Sequence, residues 1–554
     1  MAKPKLALIP SGYSNGKLFS VLPSNGDGDF TFSRGSSATR VNRDGLIETM
    51  PLELGSDVLS DFDFTNWSSV GGTSSVSSDE FTTASTGGIR KTGFLTVGKS
   101  YKVIVSGTTT STNTRINNYS GSNTYKSWAS TGSFSFEFIF TASDGGMYLR
   151  HGGVGTTQIT SFFVKEITSG YDLPRLNYDL LNGKVVNCPH YLLEPARTNL
   201  VTYSEDFSNA AWTKSNTTVN VDVSTSPNGG LNADKLIPNN STDLSSISNY
   251  ALFYLSKAGS AIEYTYSVFA KENGLNEILI IAQGNSVSNN ASATFSLADG
   301  IIKIAALSAG SFSGASASVD NYGNGFYRLN LTFTTNTDTN LNIRNIPTDS
   351  TITTGNGVNG VTIWGAQLEV SSYPTSYIPT NGTAITRAAE TATDSGNAAT
   401  FNDSEGVLMA EISSLADDGT NRRIAITDAN LTSFVYIYFS STSTLSVRLQ
   451  SGGSIQFLHN HAIDTTQNNK VAFKWKLNDV SMYVNGIKIS STNIANTPNG
   501  LKSLNFLPYG FDNFYGNTRE LQYFDSALTD AQLETLTSWT SLQEMITSQL
   551  YTNY

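Results

Sequence analysis

Apolar and polar side chains alternate with period two in long stretches of the chain. Residues 101–105 (YKVIV) and 134–140 (FSFEFIF) put an unbroken row of apolar side chains on one face and a mixed row, with Lys102, Ser135 and Glu137, on the other, the mark of half-buried β-strands. Further apolar runs at 162–167, 264–270, 278–281, 327–333, 361–370, 406–412, 434–439 and 470–476 read as strands as well, and the short apolar runs within residues 1–50 are each closed by Pro or Gly. Asn485-Gly486, between two such runs, predicts a two-residue hairpin. Only the C-terminus breaks the rule: an N-cap signal at Thr529 is followed by Leu533, Leu536, Leu542 and Ile546 at helical spacing.

The runs fall into blocks. Residues 60–67 (SDFDFTNW) and 204–212 (SEDFSNAAW) open two blocks with one phrase, and both blocks close on apolar strands ending KEI or QLEV, an internal repeat. The reading is all-β, tandem jelly-roll β-sandwiches with an N-terminal anchoring segment and a short C-terminal helix. Its parts are the anchor at 1–55, completed by 169–200, a sandwich at 56–168, a larger one at 201–375, a linker at 376–398, a third sandwich at 399–529 and a helix at 530–554. A 50-residue anchor is too short to bury a comfortable core alone, so it should pack with 171–200. Deleting residues 1–50 is expected to leave the sandwiches folded.

Composition sharpens this picture. At 554 residues the chain exceeds the reach of one core. Only 14% of residues are charged, against about 25% in ordinary proteins. Ser, Thr, Asn and Gly fill the difference and suit turns and strand faces better than helices. A net charge of −11 without a basic stripe excludes nucleic acid as a natural partner. Cys188 is the only cysteine, which excludes an internal disulfide framework. No apolar run reaches the length of a membrane span, and the stretch after Lys5 is too short for a signal-peptide core.

Three resemblances follow. Residues 471–475 (VAFKW), 480–487 (VSMYVNGI) and 519–533 (RELQYFDSALTDAQL) resemble the laminin-G-like, concanavalin-A-type jelly roll. The 201–375 block resembles carbohydrate-binding modules of families four and nine, in which an early Trp and a closing Gln-Leu-Glu strand recur. Residues 30–42 (FTFSRGSSATRVN), 192–200 (LLEPARTNL), 203–207 (YSEDF) and 373–380 (YPTSYIPT) resemble tail-fibre and other structural proteins of tailed bacteriophages. In those proteins a Gly-Leu-Ile-Glu phrase such as 45–48 runs directly into Pro-Arg-Leu, found here only at 174–176. Residues near 51–170 are therefore read as an insertion.

The phage resemblance implies a non-enzymatic virion protein, a tail fibre or related appendage, made in the host cytoplasm without a signal peptide. The implied partners are other virion proteins through the N-terminal segment, further copies of itself as a trimer or dimer, and bacterial surface glycans. A head fibre or capsid decoration and a polysaccharide depolymerase are the alternatives. No cofactor is expected.

Among single residues, Trp67 and Trp212 open the repeated blocks, where a Trp either fills the sandwich seam or stacks on a sugar ring. Tyr125 and Trp128, in a polar stretch read as a loop, are the preferred carbohydrate-binding aromatics. His459 and His461 alternate on one strand face but lack a third ligand, so no metal site is assigned. Asp27, Asp29, Asp79, Glu80, Asp417 and Asp418 sit in turns, where calcium takes oxygen ligands. Cys188 is read as a small buried hydrophobe, and no catalytic set emerges.

Overall fold

The computed structural model describes residues 3–59, 62–129, 131–507 and 512–539. Nearly all regular structure in it is antiparallel β-sheet, and the chain divides into two units, Pro51–Gly170 and Met1–Met50 with Tyr171–Tyr554. Residues 51–55 belong with the first, because the strand Glu53–Asp57 pairs with Gly155–Ser169.

In the Pro51–Gly170 unit seven strands follow one path: Thr124–Trp128, Thr114–Asn118, Gly146–His151, Glu80–Thr92, Gly155–Ser169, Ser100–Thr109 and Gly132–Thr141. The strand Glu80–Thr92 pairs with one neighbour through its first residues and with another through its last, and so bridges the two layers. The ends of the path meet through their rings. Tyr125 lies 4.1 Å from Phe140, and Trp128 lies 4.9 Å from Phe134. Ser100–Thr109 alternates buried and half-exposed positions along nearly its whole length, as a strand with one wet face must.

The second unit holds two sandwiches. In the first, the strands Trp212–Ser215, Tyr250–Ser256, Asn340–Thr348, Glu277–Gln283, Asn290–Ser296 and Ile301–Ala309 face Thr217–Thr225, Leu231–Pro238, Gly360–Glu369, Glu263–Asn273, Tyr327–Thr334 and Ser313–Asn321. Gly360–Glu369 is buried at every position. Its inner side chains Val361, Ile363 and Leu368 fill the core, while Trp364 on the other face meets Ile47 and Tyr377. The strand bulges at Gly365, whose φ of +63° and tight approach to the Phe269 ring suit only glycine.

In the other sandwich a five-stranded sheet from Ser454–Ala462 to Ser503–Asn505 packs on an eight-stranded one built on Gly516–Phe524, Glu405–Ser414, Asn469–Lys476 and Val480–Val484. Val480–Val484 and Ile487–Thr492 pair as a hairpin about Asn485-Gly486, both at positive φ as the primed turn requires. Thr529 and Gln532 form a reciprocal capping box, and the helix Asp530–Thr537 seats Leu533 against Met409, Tyr483 and Phe524. Leu542 and Ile546 lie outside the described residues.

Two expectations are corrected here. The N-terminal segment is no separate layer: Leu6–Leu8 and Lys184–Leu193 pair with different halves of Gly516–Phe524, and Leu6, Leu8, Phe30 and Phe32 are buried in the third sandwich. It does pack with 171–200, as the Tyr191 hydroxyl donating to the Gly12 carbonyl at 2.8 Å illustrates. Removing residues 1–50 would therefore open that sandwich instead of leaving it folded. Residues 376–398 are no loose linker either, since Ile385–Arg387 pairs with Arg197–Asn199, and Thr391–Thr393 pairs with Phe30–Ser33.

Candidate functional site

The four aromatic candidates end up in different surroundings. Trp212 is 1% exposed, packs on Phe207 and Phe253, and donates its indole N–H to the Tyr203 carbonyl at 2.8 Å. Trp67 is 5% exposed, set among Phe64, Phe94 and Phe162. Both rings fill sandwich cores, and neither offers a face to a sugar. Tyr125 and Trp128 do not sit in a loop: Thr124–Trp128 is a strand paired with Thr114–Asn118. Their rings are half-buried because they close the barrel-like path onto Phe134, Phe136 and Phe140.

The phrases behind the phage resemblance, spread over more than 300 residues of sequence, converge in space. Arg34 donates to the Leu173 carbonyl and to Glu390 at 2.9 Å each. Glu390 also receives the Arg175 guanidinium, through Nε at 2.9 Å and through Nη2. Arg175 and Arg387 both reach Glu194 Oε2, at 2.8 and 2.9 Å, and Ser376 donates to the same carboxylate through its N–H and its hydroxyl. All five charged side chains are buried. Burial alone would raise the Glu194 pKa, yet Arg387 and Arg175 outweigh it and hold the carboxyl at about 2. Around this cluster Thr39 donates to the Tyr377 carbonyl, Asn199 to the Ala366 and Ile378 carbonyls, and Thr380 to the Val201 carbonyl. One polar node thus ties the N-terminal segment, 171–205 and 373–390 together.

Beside this node a cleft of about 500 Å³ is lined by Tyr203, Glu205, Asp206, Asp222, Asp234 and Thr380, among others. Burial pushes the Asp234 carboxyl up to about 6 and raises Glu205. Neither is a free acid. Asp234 accepts the backbone N–H groups of Phe207 and Asp222 at 2.9 and 3.1 Å, and Glu205 accepts from Tyr377 and Asn232 at 2.9 Å each. Asp234 thereby pins Asp222 in its left-handed conformation, φ +54°. Sequence reading missed this group: the Glu205-Asp206 pair was visible, but Asp222 and Asp234 join it only across paired strands.

No family model and no curated protein matches the chain. Some solved structures do. The CBM40 module of the Ruminococcus gnavus IT-sialidase, bound to α2,3-sialyllactose, shares 13% identity and covers 26% of this chain and 94% of its own, with a TM-score of 0.23. A variant of the NanB sialidase from Streptococcus pneumoniae shares 16% over 25% of this chain and 24% of its own, at 0.22. A heptameric SAP-like pentraxin from Limulus polyphemus shares 18% over 25% of this chain and 72% of its own, also at 0.22. These are partial likenesses to β-rich modules and carry no residue role across.

The remaining candidates resolve locally. His459 and His461 share the face of an edge strand with Phe457, and burial together with its neighbour His459 lowers the His461 pKa. Asp27, Asp29, Asp79 and Asp417 accept hydrogen bonds from Asn25, Ser20, Gln158 and Ser443, and Asp418 pairs with Arg422 at 2.8 Å. Glu80 joins none of them: it lines a cleft with Thr108, Thr110 and Gln158. Among the described residues no three His, Cys, Asp or Glu side chains converge on a point a metal ion would occupy. Cys188 is exposed, not buried, because it sits on the hairpin Arg175–Leu181 with Lys184–Leu193 that borders the sheet.

Proposed function

We propose that the protein is a non-enzymatic component of a bacteriophage particle, a tail fibre or related appendage, that presents β-sandwich modules to bacterial surface glycans. The observation that supports this reading is the buried node in which Arg34, Arg175 and Glu194, from three of the phrases that resemble phage structural proteins, meet Arg387 and Glu390. Such a node acts as a platform, because breaking one ion pair inside it strands the others, while Pro51–Gly170 is a unit of its own. Ile9, Phe19 and Val21 stay about 40% exposed on the N-terminal segment and form the attachment surface for a virion partner. Two carboxylates of the Asp234 cleft, Asp234 itself and Glu205, are occupied as acceptors by the chain's own donors, which favours a binding role over glycoside hydrolysis. The protein assembles as a homotrimer or dimer, as symmetric appendages do.

Electron microscopy of particles labelled at the C-terminus tests the reading, with label expected on the tail. Label on the head would make the protein a head fibre or decoration, and none on the particle would remove the virion role. Phe19→Asp with Val21→Asp should leave melting unchanged and abolish incorporation.

A further inference from the structure

A second cleft in the larger unit, about 490 Å³, lies between the connector hairpin and the edge of the 201–375 sandwich. Its chemistry differs from that of the Asp234 cleft. Three tyrosines line it, Tyr178 from the hairpin and Tyr322 and Tyr327 from the sandwich, together with Asp179, Asp299 and Asp320. No Lys or Arg is among its described lining residues, and Arg519 behind the wall is already paired with Asp179.

The walls are set before any ligand arrives. The hairpin turns at Asn182-Gly183, both at positive φ, and its tip meets the sandwich loop glycine to glycine. A Cβ on Gly183 would lie 2.6 Å from the Gly323 backbone, and a Cβ on Gly323 2.6 Å from the Gly183 carbonyl. Tyr322 stands edge-on to Phe269 at 4.9 Å. The Tyr327 ring lies flat on the turn at Gly300, where a Cβ would come within 2.0 Å of it. Rings held this way lose little freedom on binding, which lowers the cost of association. Asp320 accepts from Asn330 at 2.9 Å with one oxygen, and Asp299 is exposed on its turn.

We propose that this cleft is a saccharide subsite for an uncharged or amino-bearing pyranose, with the tyrosine rings against the sugar's C–H face and Asp299 and Asp320 accepting from its hydroxyls. Aromatic walls suit a ring that is apolar on its faces and polar at its rim. Carboxylates accept paired hydroxyl or ammonium donors, and because the nearby Arg519 is spent on Asp179, Asp299 and Asp320 disfavour uronates and sialic acids. The assignment rests on the adhesion reading above and names the ligand class for one site.

The test is ligand-observed NMR titration of the full chain with methyl glucoside, methyl galactoside, N-acetylglucosamine, glucosamine and sialyllactose, alongside adsorption of the same protein to host cells. At least one uncharged or amino sugar should bind saturably with a Kd on the order of 1 mM. Tyr178→Ala should weaken it by about tenfold or more. The exposed-site variant Asp299→Asn should weaken glucosamine more than methyl glucoside, with unchanged melting in both variants. Binding that survives both substitutions overturns the site, and preference for sialyllactose overturns the ligand class. Cell adsorption without binding of any of these sugars overturns the inference and leaves the adhesion reading standing, whereas loss of both overturns the two together.

Discussion

The sandwiches at Pro51–Gly170 and 201–375 open with the same phrase and bury its Trp, yet they treat their sheets differently. In the first, the outer faces stay wet: Gly132–Thr141 keeps six of its ten positions exposed, and the two ends of the path meet through aromatic rings. In the second, the strand Gly360–Glu369 is buried on both faces because 375–378, Asn199 and Ile47 cover what would have been its solvent side. The cover consists of the same segments that build the arginine–glutamate node. A repeated phrase thus fixes a module's seam, while its neighbours decide whether its outer face sees water. The polar interiors diverge too. The first buries a neutral histidine, His151, held at both ring nitrogens by Thr83 and Thr157, and the second buries the carboxyl of Asp234.

The sharpest way to break this comparison is to remove the cover. Glu390→Ala leaves Arg34 and Arg175 buried beside each other without their shared partner, and should cost about 5 kcal/mol. Urea unfolding should show the loss in the larger unit and leave the Pro51–Gly170 transition in place. The paired tryptophans come next: Trp212→Ala should cost about 4 kcal/mol and Trp67→Ala about 3. Trp212 is the more buried of the two, and its replacement also orphans the Tyr203 carbonyl. Equal losses would mean that the shared phrase, not its surroundings, sets the cost.

Acid should push the two modules in opposite directions. Burial lowers the His151 pKa from 6.5 to about 4, so between those values the unfolded chain binds the extra proton. The Pro51–Gly170 unit should then lose stability as pH falls from 6.5 towards 4, by about 3 kcal/mol in full, and His151→Gln should flatten the slope. Asp234 is raised from 3.8 to about 6, so there the folded state holds the extra proton. Its module is strained above pH 6 and relieved as pH falls towards 3.8, by about 3 kcal/mol at most. Melting curves over this range, with and without Asp234→Asn, would show two slopes of opposite sign. Parallel slopes would sink the comparison.

The smallest effect belongs to excision. The strand ends Glu53 and Ser169 pair, and Gly170 lies against Pro51, so the module enters and leaves at one point. Joining Met50 to Tyr171 should change the stability of the remaining unit by less than about 1 kcal/mol. A chain that no longer folds would make the module an integral part of the larger unit.

The all-β class, the Trp67 and Trp212 modules, the Asn485-Gly486 hairpin and the cap at Thr529 are legible along the chain. Each is written in local terms, as a period, a turn dipeptide or a capping pair. Long-range packing is what brings Leu6–Leu8 into the third sandwich, makes 376–398 a packed brace and Thr124–Trp128 a strand, and turns Cys188 outward. It also decided which tyrosines and carboxylates share a cleft. These features depend on segments separated by up to several hundred residues, and a residue's local pattern does not say which distant segment will cover it. A strand with one wet face announces itself by alternation, whereas a strand covered on both faces, or a polar loop drafted as an edge strand, carries no such periodic mark.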